Sequence, residues 1–514
     1  MLPVHRTSGS SRKVLCPSRC PLVLIWSNSG KQAKDLLKSA HAGHPDALRR
    51  FREHHPEPLP ASVSLAGAQL VLAREHGFAS WPKLKEHVHA VLLDTRDPLE
   101  LFKDAFHADD AVLFAKLLAR YPAIKARLNE PIGPFDSPVI IHAKSREMLD
   151  VLLAAGADIN GKSRWWAGGF GLLHTAPPEL AAYAVERGAV VDAHAAARLG
   201  LKDRLRELLA ADPSLVHARG GDGQTPLHFA ANVEIAELLL AHGADLDARD
   251  VDHESTPAQW MLGERTEVAR FLVRRGCWTD LLLAAAVGDV EWVRRHLDAD
   301  PEALRVRVND RGFPRINPQA GGTIYQWTLG ADMSACEVAQ KFGHGDVLQV
   351  LLERSPVELK LLALILGGDP AAVQSLLAAN PDVVRRLSLE TQRQLAHAAR
   401  NNNVAAVRLL LETGWPVDAK GQHQGTPLHW AAFHGNLEMV EVILPHRPPL
   451  DLPDADHKAP PIGWATFGSE HGWHRETGNY AGVVEALLRA GAKPPQQLSG
   501  SEAVREILRR NCFH

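Results

Sequence analysis

Two histidines three residues apart, His471 and His474, lie in the stretch SEHGWHRETG at residues 469–478, with Trp473, Arg475 and Glu476 between and beside them and Tyr480 just beyond. An HxxH pair offers two imidazole ligands to zinc, but no cysteine pair or second histidine pair completes a tetrahedral set. The same side chains read as polar and aromatic handles for a partner or small ligand, or as a structural plug packed on the preceding repeat. A second concentration spans 305–333. Arg305, Arg307, Arg311 and Arg315 are interleaved with Phe313 and followed by Tyr325 and Trp327. Arginine mixed with aromatics suits a protein or nucleic-acid contact, the alternative being a solvated hairpin. The candidate partner-binding residues are therefore Arg311, Phe313, Arg315, Tyr325, Trp327, His471, Trp473, His474, Arg475 and Tyr480. Cys16 and Cys20 form a lone CxxxC and are not assigned a metal.

The chain shows no glycine-rich dinucleotide fingerprint, no phosphate-binding loop, no GxSxG elbow and no HExxH. On that basis no catalytic, cofactor or metal residue is assigned, and the chain is expected not to be an enzyme. Its 514 residues exceed one compact core and predict several domains or an array. A net charge of −3 gives no global attraction to nucleic acid or acidic membranes. Five cysteines at irregular spacing imply no disulfide framework, so a reducing cytoplasm is expected. The apolar run PLVLIW is too short for a signal core, and residues 1–30 read as a disordered leader.

The elements that must position these residues announce themselves by repetition. Thr225–Asp250 reads TPLHFAANVEIAELLLAHGADLDARD, and Thr426–Asp454 reads TPLHWAAFHGNLEMVEVILPHRPPLDLPD. Threonine caps a helix and proline suits its first turn. Leu227, Ala230 and Ala231 predict a small-residue inner helix. VEIAELLLAHG predicts a second helix, with Gly243 at the left-handed position that ends it. Turn residues then lead back to the next Thr-Pro at Thr256. Such a unit cannot bury its own apolar face, so it must stack.

The pattern G-x-TPLHxAA…LLLxxGADxxxxD resembles the ankyrin repeat. The resemblance implies an all-α solenoid of helix–turn–helix–hairpin units that binds another protein on its concave surface. It also makes His228 and His429 structural, bonded to the backbone of neighbouring turns. Weaker copies such as VLLAAGADIN from Val151 and LLLETGWPVD from Leu409 extend the array. A second ending replaces Gly-Ala-Asp by proline at Pro122, Pro213, Pro301 and Pro381, which stops or redirects a helix. About twelve repeats are expected over 99–495, in the manner of long, divergent bacterial arrays, with a cap helix over 496–514.

The array keeps its phase across both unusual stretches. SACEVAQKFG from Ser334 aligns with TPLHWAAFHG from Thr426 without gaps, which makes 305–333 an insertion. PPIGWATFG follows TPLHWAAFH at an offset of 34 and YAGVVEALL follows its counterpart at 44, which leaves 469–478 as ten extra residues. Both insertions are expected outside the stacking core, adding specificity rather than fold. Residues 31–95 depart from the repeat and predict four amphipathic helices, a module of the kind found ahead of bacterial arrays. Ser80 is its expected cap, and Ala73, Gly77, Lys83 and Lys85 give it a passing helix-turn-helix look without the positive stripe of a DNA reader. The main expectation is a non-catalytic scaffold for a protein partner. The alternatives are a small-ligand or catalytic site near 469–480 and a DNA-associated regulator.

Overall fold

The computed structural model describes residues 29–55 and 63–512. The Cys16–Cys20 pair and all but the end of the expected leader lie outside these residues. The described chain is helical, with isolated bridges and no strands. It divides into two compact units at Ala195/Ala196.

The first unit begins with helices Ser29–His41, Pro45–His54, Leu65–Glu75 and Trp81–Thr95. Leu36, Phe51, Val71 and Leu72 make their common core. Ser64 caps the third helix by accepting the amide of Gly67. Ser80 stands at the start of the fourth, but its hydroxyl makes no capping bond, and Pro82 serves that first turn instead. Direct bonds join this module to the first helices of the array. Asp110 caps Ala111–Arg120 and also accepts from Lys85 Nζ at 3.1 Å and faces His89 Nε2 at 3.0 Å. Tyr121 donates to the carbonyl of Leu93 at 3.1 Å. Lys85 is thus tied to the array and is not presented as part of a basic face. Burial alone would raise the Asp110 carboxyl, yet the bonds from His89 and the Leu113 amide, with the nearby charges, hold it well below the usual carboxylate range. Asp110→Ala is expected to lower the stability of this unit by about 2–3 kcal/mol, the sum of a lost cap and unpaired donors. The midpoint of urea unfolding at constant slope measures it, and an unchanged midpoint would show the junction to be idle.

The ankyrin-like phrase becomes a hydrogen-bonded box. The amide of Thr225 donates to His228 Nδ1 at 3.1 Å, so the ring proton is on Nε2, which meets the carbonyl of Ser255 at 3.2 Å. Thr426 and His429 repeat this at 3.1 Å, with His429 Nε2 3.3 Å from the Ala459 carbonyl. Each histidine therefore ties its own helix start to the following hairpin. The divergent copies keep the geometry with other acceptors. Gln259 takes the amide of Thr256 at 2.8 Å, Glu337 that of Ser334 at 3.1 Å, and His174 that of Gly171 at 3.1 Å. Small inner-helix residues do what their size predicts, since every residue of Leu281–Val287 is buried. The outer helices end on Gly156, Gly188, Gly243, Gly276, Gly414 and Gly491, all at positive φ. At the C-terminal end, Val504 and Leu508 of helix Glu502–Cys512 share a core cluster with Val484 and Leu487.

The segment 305–333 does not stand off the stack as a finger. Arg307 is buried and bonds Glu337 at 3.0 Å, beside a bridge between Arg307 and Ser334. Asp332 collects Asn309 at 2.7 Å and Gln394 at 2.9 Å. On the other side, Glu254 accepts the amides of Ile316 and Asn317 at 2.8 and 2.7 Å. The segment is a strap pinned at both ends. Carboxylates distant in sequence satisfy its backbone, which no local pattern could reveal. Tyr325 is fully buried and donates to both Asp280 oxygens at 3.1 Å, so it is core rather than partner contact.

Candidate functional site

An aromatic concavity of the second unit forms where two successive helix pairs meet. Helix Pro427–His434 presents Trp430 and Phe433, and helix Pro461–His471 presents Trp464 and Phe467 from the equivalent positions. The spacing of three puts each pair on one helix face. Trp473, from the turn after the second helix, closes the side, and the hairpin residues His423 and His457 complete a cavity of about 350 Å³. Trp430 and Trp464 meet edge to face at 5.0 Å and 84°, and Phe433 and Trp473 at 5.2 Å and 90°. Phe467 and Trp473 remain 58% and 59% exposed at the mouth, so this apolar lining is open to a ligand.

Tyr480 explains why the extra residues have the composition they do. Its ring is buried against Gly435, Gly468 and Gly478, and its hydroxyl donates to the Phe433 carbonyl at 3.0 Å. A Cβ on Gly435, Gly468 or Gly478 would come within 2.9, 3.0 or 2.7 Å of that ring, and one on Gly472 within 2.8 Å of its hydroxyl. Tyr480 is therefore the plug, and it is corrected from contact residue to core. The ten extra residues are partly fold: Ser469–His471 continue the helix, and Ser469 Oγ accepts the amide of Ser501 at 2.8 Å. Trp473 lies on the preceding repeat, with its ring 6.1 Å from that of Trp430 at 27°, and Arg400 rests 5.5 Å from the Trp473 ring.

The wall at Trp464 is fixed electrostatically from behind. Asp454 is buried and accepts Trp464 Nε1 at 3.0 Å and the amides of His457 and Ala459 at 2.7 and 3.0 Å. Burial pulls its pKa up, but these donors hold it at about 2. His434 sits behind the rings, donates Nε2–H to the Arg400 carbonyl at 2.7 Å, and is pushed down to about 4 by burial.

Two comparisons bear on this architecture. The family model "Ankyrin repeats (3 copies)" matches residues 359–454, and "Ankyrin repeat" matches 222–251. The chain is an ankyrin-repeat protein. This ankyrin-repeat protein is 47% identical over 201 residues to "Serine/threonine-protein kinase VIK" of Arabidopsis thaliana, covering 37% of the chain and 41% of that relative. It is 38% identical over 78 residues to "E3 ubiquitin-protein ligase XB3" of Oryza sativa subsp. japonica, covering 15% of the chain and 17% of the relative. With "Palmitoyltransferase Hip14" of Drosophila melanogaster it shares 29% identity over 100 residues, 20% of the chain and 14% of the relative. The chain spans less than half the length of each of these proteins. Three relatives bear enzyme names, so the expectation that this ankyrin-repeat protein is not an enzyme is withdrawn: absence of a motif does not separate the chain from relatives that carry a reaction. Ankyrin repeats imply protein partners. Among the described residues no helix is long and apolar enough to cross a membrane.

The remaining candidates of this ankyrin-repeat protein scatter. Arg311 is exposed and paired with Glu390 at 2.8 Å, while Arg315 bonds Asp310 at 3.2 Å. Phe313 packs on Tyr325 at 5.2 Å, and Trp327 is 61% exposed with its ring 4.7 Å from His253. His471 lies on Phe467 at 4.8 Å, His474 meets His434 at 5.1 Å, and Arg475 is exposed. The strap also walls a cleft of about 490 Å³ that holds Asp280, whose carboxyl burial pushes up to about 6. Asp222, Asp252 and His253 bring ligand atoms within 4.8 Å of one another, but Asp252 accepts the Gly321 amide and His253 faces the Gly322 carbonyl at 2.8 Å, contacts that anchor the strap. Sequence reasoning missed Trp430, Phe433, Trp464 and Phe467. Their signal is present as WAAF and WATF at the offset of 34, a match that fixes register and also repeats an aromatic pair on one helix face.

Proposed function

We propose that this protein is an interaction scaffold that holds a protein partner on its concave ankyrin surface, anchored in the aromatic pocket of the last two full repeats. The observation that carries the reading is the aromatic cavity of Trp430, Phe433, Trp464, Phe467 and Trp473, with Phe467 and Trp473 exposed at its mouth. Tryptophan dominates the energetics of interfaces, and a rigid aromatic wall costs little conformational entropy to dock against. Trp473 is the side chain whose loss the fold tolerates best, since one face already lies in solvent. Arg475 and His471 stand at the same end and form the polar rim such a contact needs.

Cross-linked capture from the native cell tests this with the full chain. Trp473→Ala and Phe467→Ser are each expected to reduce partner recovery by at least tenfold while the helical signal stays at the parent level. Trp327→Ala, exposed elsewhere, should leave recovery unchanged. An identical partner set from all variants would overturn the proposal.

A further inference from the structure

We infer that the aromatic pocket receives a cationic side chain, a lysine ammonium of the partner, in preference to an apolar one. This rests on the proposed partner-binding role and specifies what the pocket recognises.

The argument starts at Trp464. Its indole N–H donates to a carboxylate, Asp454, at 3.0 Å, and that carboxylate is buried and saturated by amide donors. An anion bonded to the indole N–H pushes electron density into the ring. The ring face, already the negative end of the quadrupole, then attracts a cation more strongly. The rings of Trp464 and Trp430 stand at 84°, and those of Phe433 and Trp473 at 90°. Rings set at right angles line the cavity with faces as well as edges, and a ring face is where a cation is held. A second carboxylate repeats the sign. Asp456 is half exposed and accepts from the ring of His423, a residue of the lining, at 2.5 Å, so this carboxylate stands behind the wall as Asp454 does.

Charge of the opposite sign stands outside the lining. Arg400 lies 5.6 and 5.5 Å from the rings of Trp430 and Trp473 but does not border the cavity. It draws density from those two rings and leaves Trp464 and Phe433 as the receiving faces. No lysine or arginine is among the residues that border the pocket. An apolar occupant would gain nothing from the carboxylates behind Trp464 and His423. A lysine lays its four-carbon stem along Phe467 and Trp473 and carries its charge to the ring faces. The 350 Å³ cavity has room for stem and head together.

The test is a titration of the full chain, followed by tryptophan indole N–H resonances. N-acetyl-lysine methylamide, its Nε-trimethylated form and N-acetyl-norleucine methylamide share backbone and stem and differ in charge. At least one cationic form is expected to bind at least fivefold tighter than norleucine, shifting Trp464 and Trp473. A preference for the trimethylated form would mark a modified lysine, and equal binding of the two an unmodified one. Asp456→Asn should reduce the charge preference at least twofold with the fold intact. Norleucine binding as tightly as both cations, or no probe shifting these resonances, would overturn the inference. Either result can coexist with loss of partner capture in Trp473→Ala, in which case the scaffold reading stands and its lysine specificity falls.

Discussion

His429→Ala is expected to lower the stability of the second unit by about 3 kcal/mol. The ring is buried and joins three points: the Thr426 amide, the Thr426 hydroxyl and the Ala459 carbonyl. Alanine leaves a buried amide and a buried carbonyl without partners, each costing about 1–3 kcal/mol, and opens a cavity beside Trp464, whose ring lies 5.3 Å away. The same chemistry makes stability depend on pH. Burial pushes His429 and His434 down to about 4 and His228 down to about 3. Each folded value lies below the unfolded value near 6.5, so the unfolded chain binds protons first. Their contribution is full above about pH 6.5 and is lost progressively as the pH falls toward 4 and then 3. A tenfold difference in proton affinity between folded and unfolded chain is worth about 1.4 kcal/mol, so the three rings together remove several kcal/mol by pH 4. Asp280 has the opposite sign: raised to about 6, it favours the folded state at low pH and loses that contribution as pH rises through 6. The histidines outnumber it, so melting temperature should fall from pH 7 to pH 4. His429→Ala should show a shallower fall than the parent. A melting temperature unchanged by the substitution would refute the structural box.

Trimming Ser469–Gly478 to a short turn is expected to do more damage than a surface loop should. The deletion takes away Gly472 and Gly478, which make room for Tyr480, and Ser469, which holds the amide of Ser501. Unseating a buried tyrosine costs about 3–5 kcal/mol, the range for large-to-small core changes. The last repeats and helix Glu502–Cys512 should therefore melt in an early helical phase. Trp473→Ala, within the same stretch, should leave the melt near parental and act on binding instead. A single parental transition in the trimmed chain would show that Tyr480 keeps its seat without the loop. The expectation that this stretch adds specificity rather than fold is thus divided within it: Trp473 is exposed, while Gly472, Gly478 and Ser469 serve the packing of Tyr480 and the link to Ser501.

The local grammar is what the sequence by itself determined. Helix starts at Thr-Pro, small inner residues, glycine endings and the role of His228 and His429 all come from interactions within a few residues or at the repeat period. Stacking then multiplies them down the chain. The box at Ser334 and Glu337 was legible through alignment alone, because a glutamate three residues on can replace the histidine acceptor. Tertiary structure decided where side chains point once phase is set. Tyr325 and Trp327 are two residues apart in one strap, yet one is fully buried on Asp280 and the other is 61% exposed. Phase says that a segment is extra. It does not say which distant carboxylates will receive its amides, as Glu254 does here, or which distant donor its own Asp332 will meet, as Gln394 does. The aromatic pocket belongs to the same category. Trp430 and Trp464 are 34 positions apart in sequence, and only the stacking of neighbouring repeats brings their rings to 5.0 Å. Asp454 is likewise turned toward the indole by a hairpin whose backbone amides had to find an acceptor.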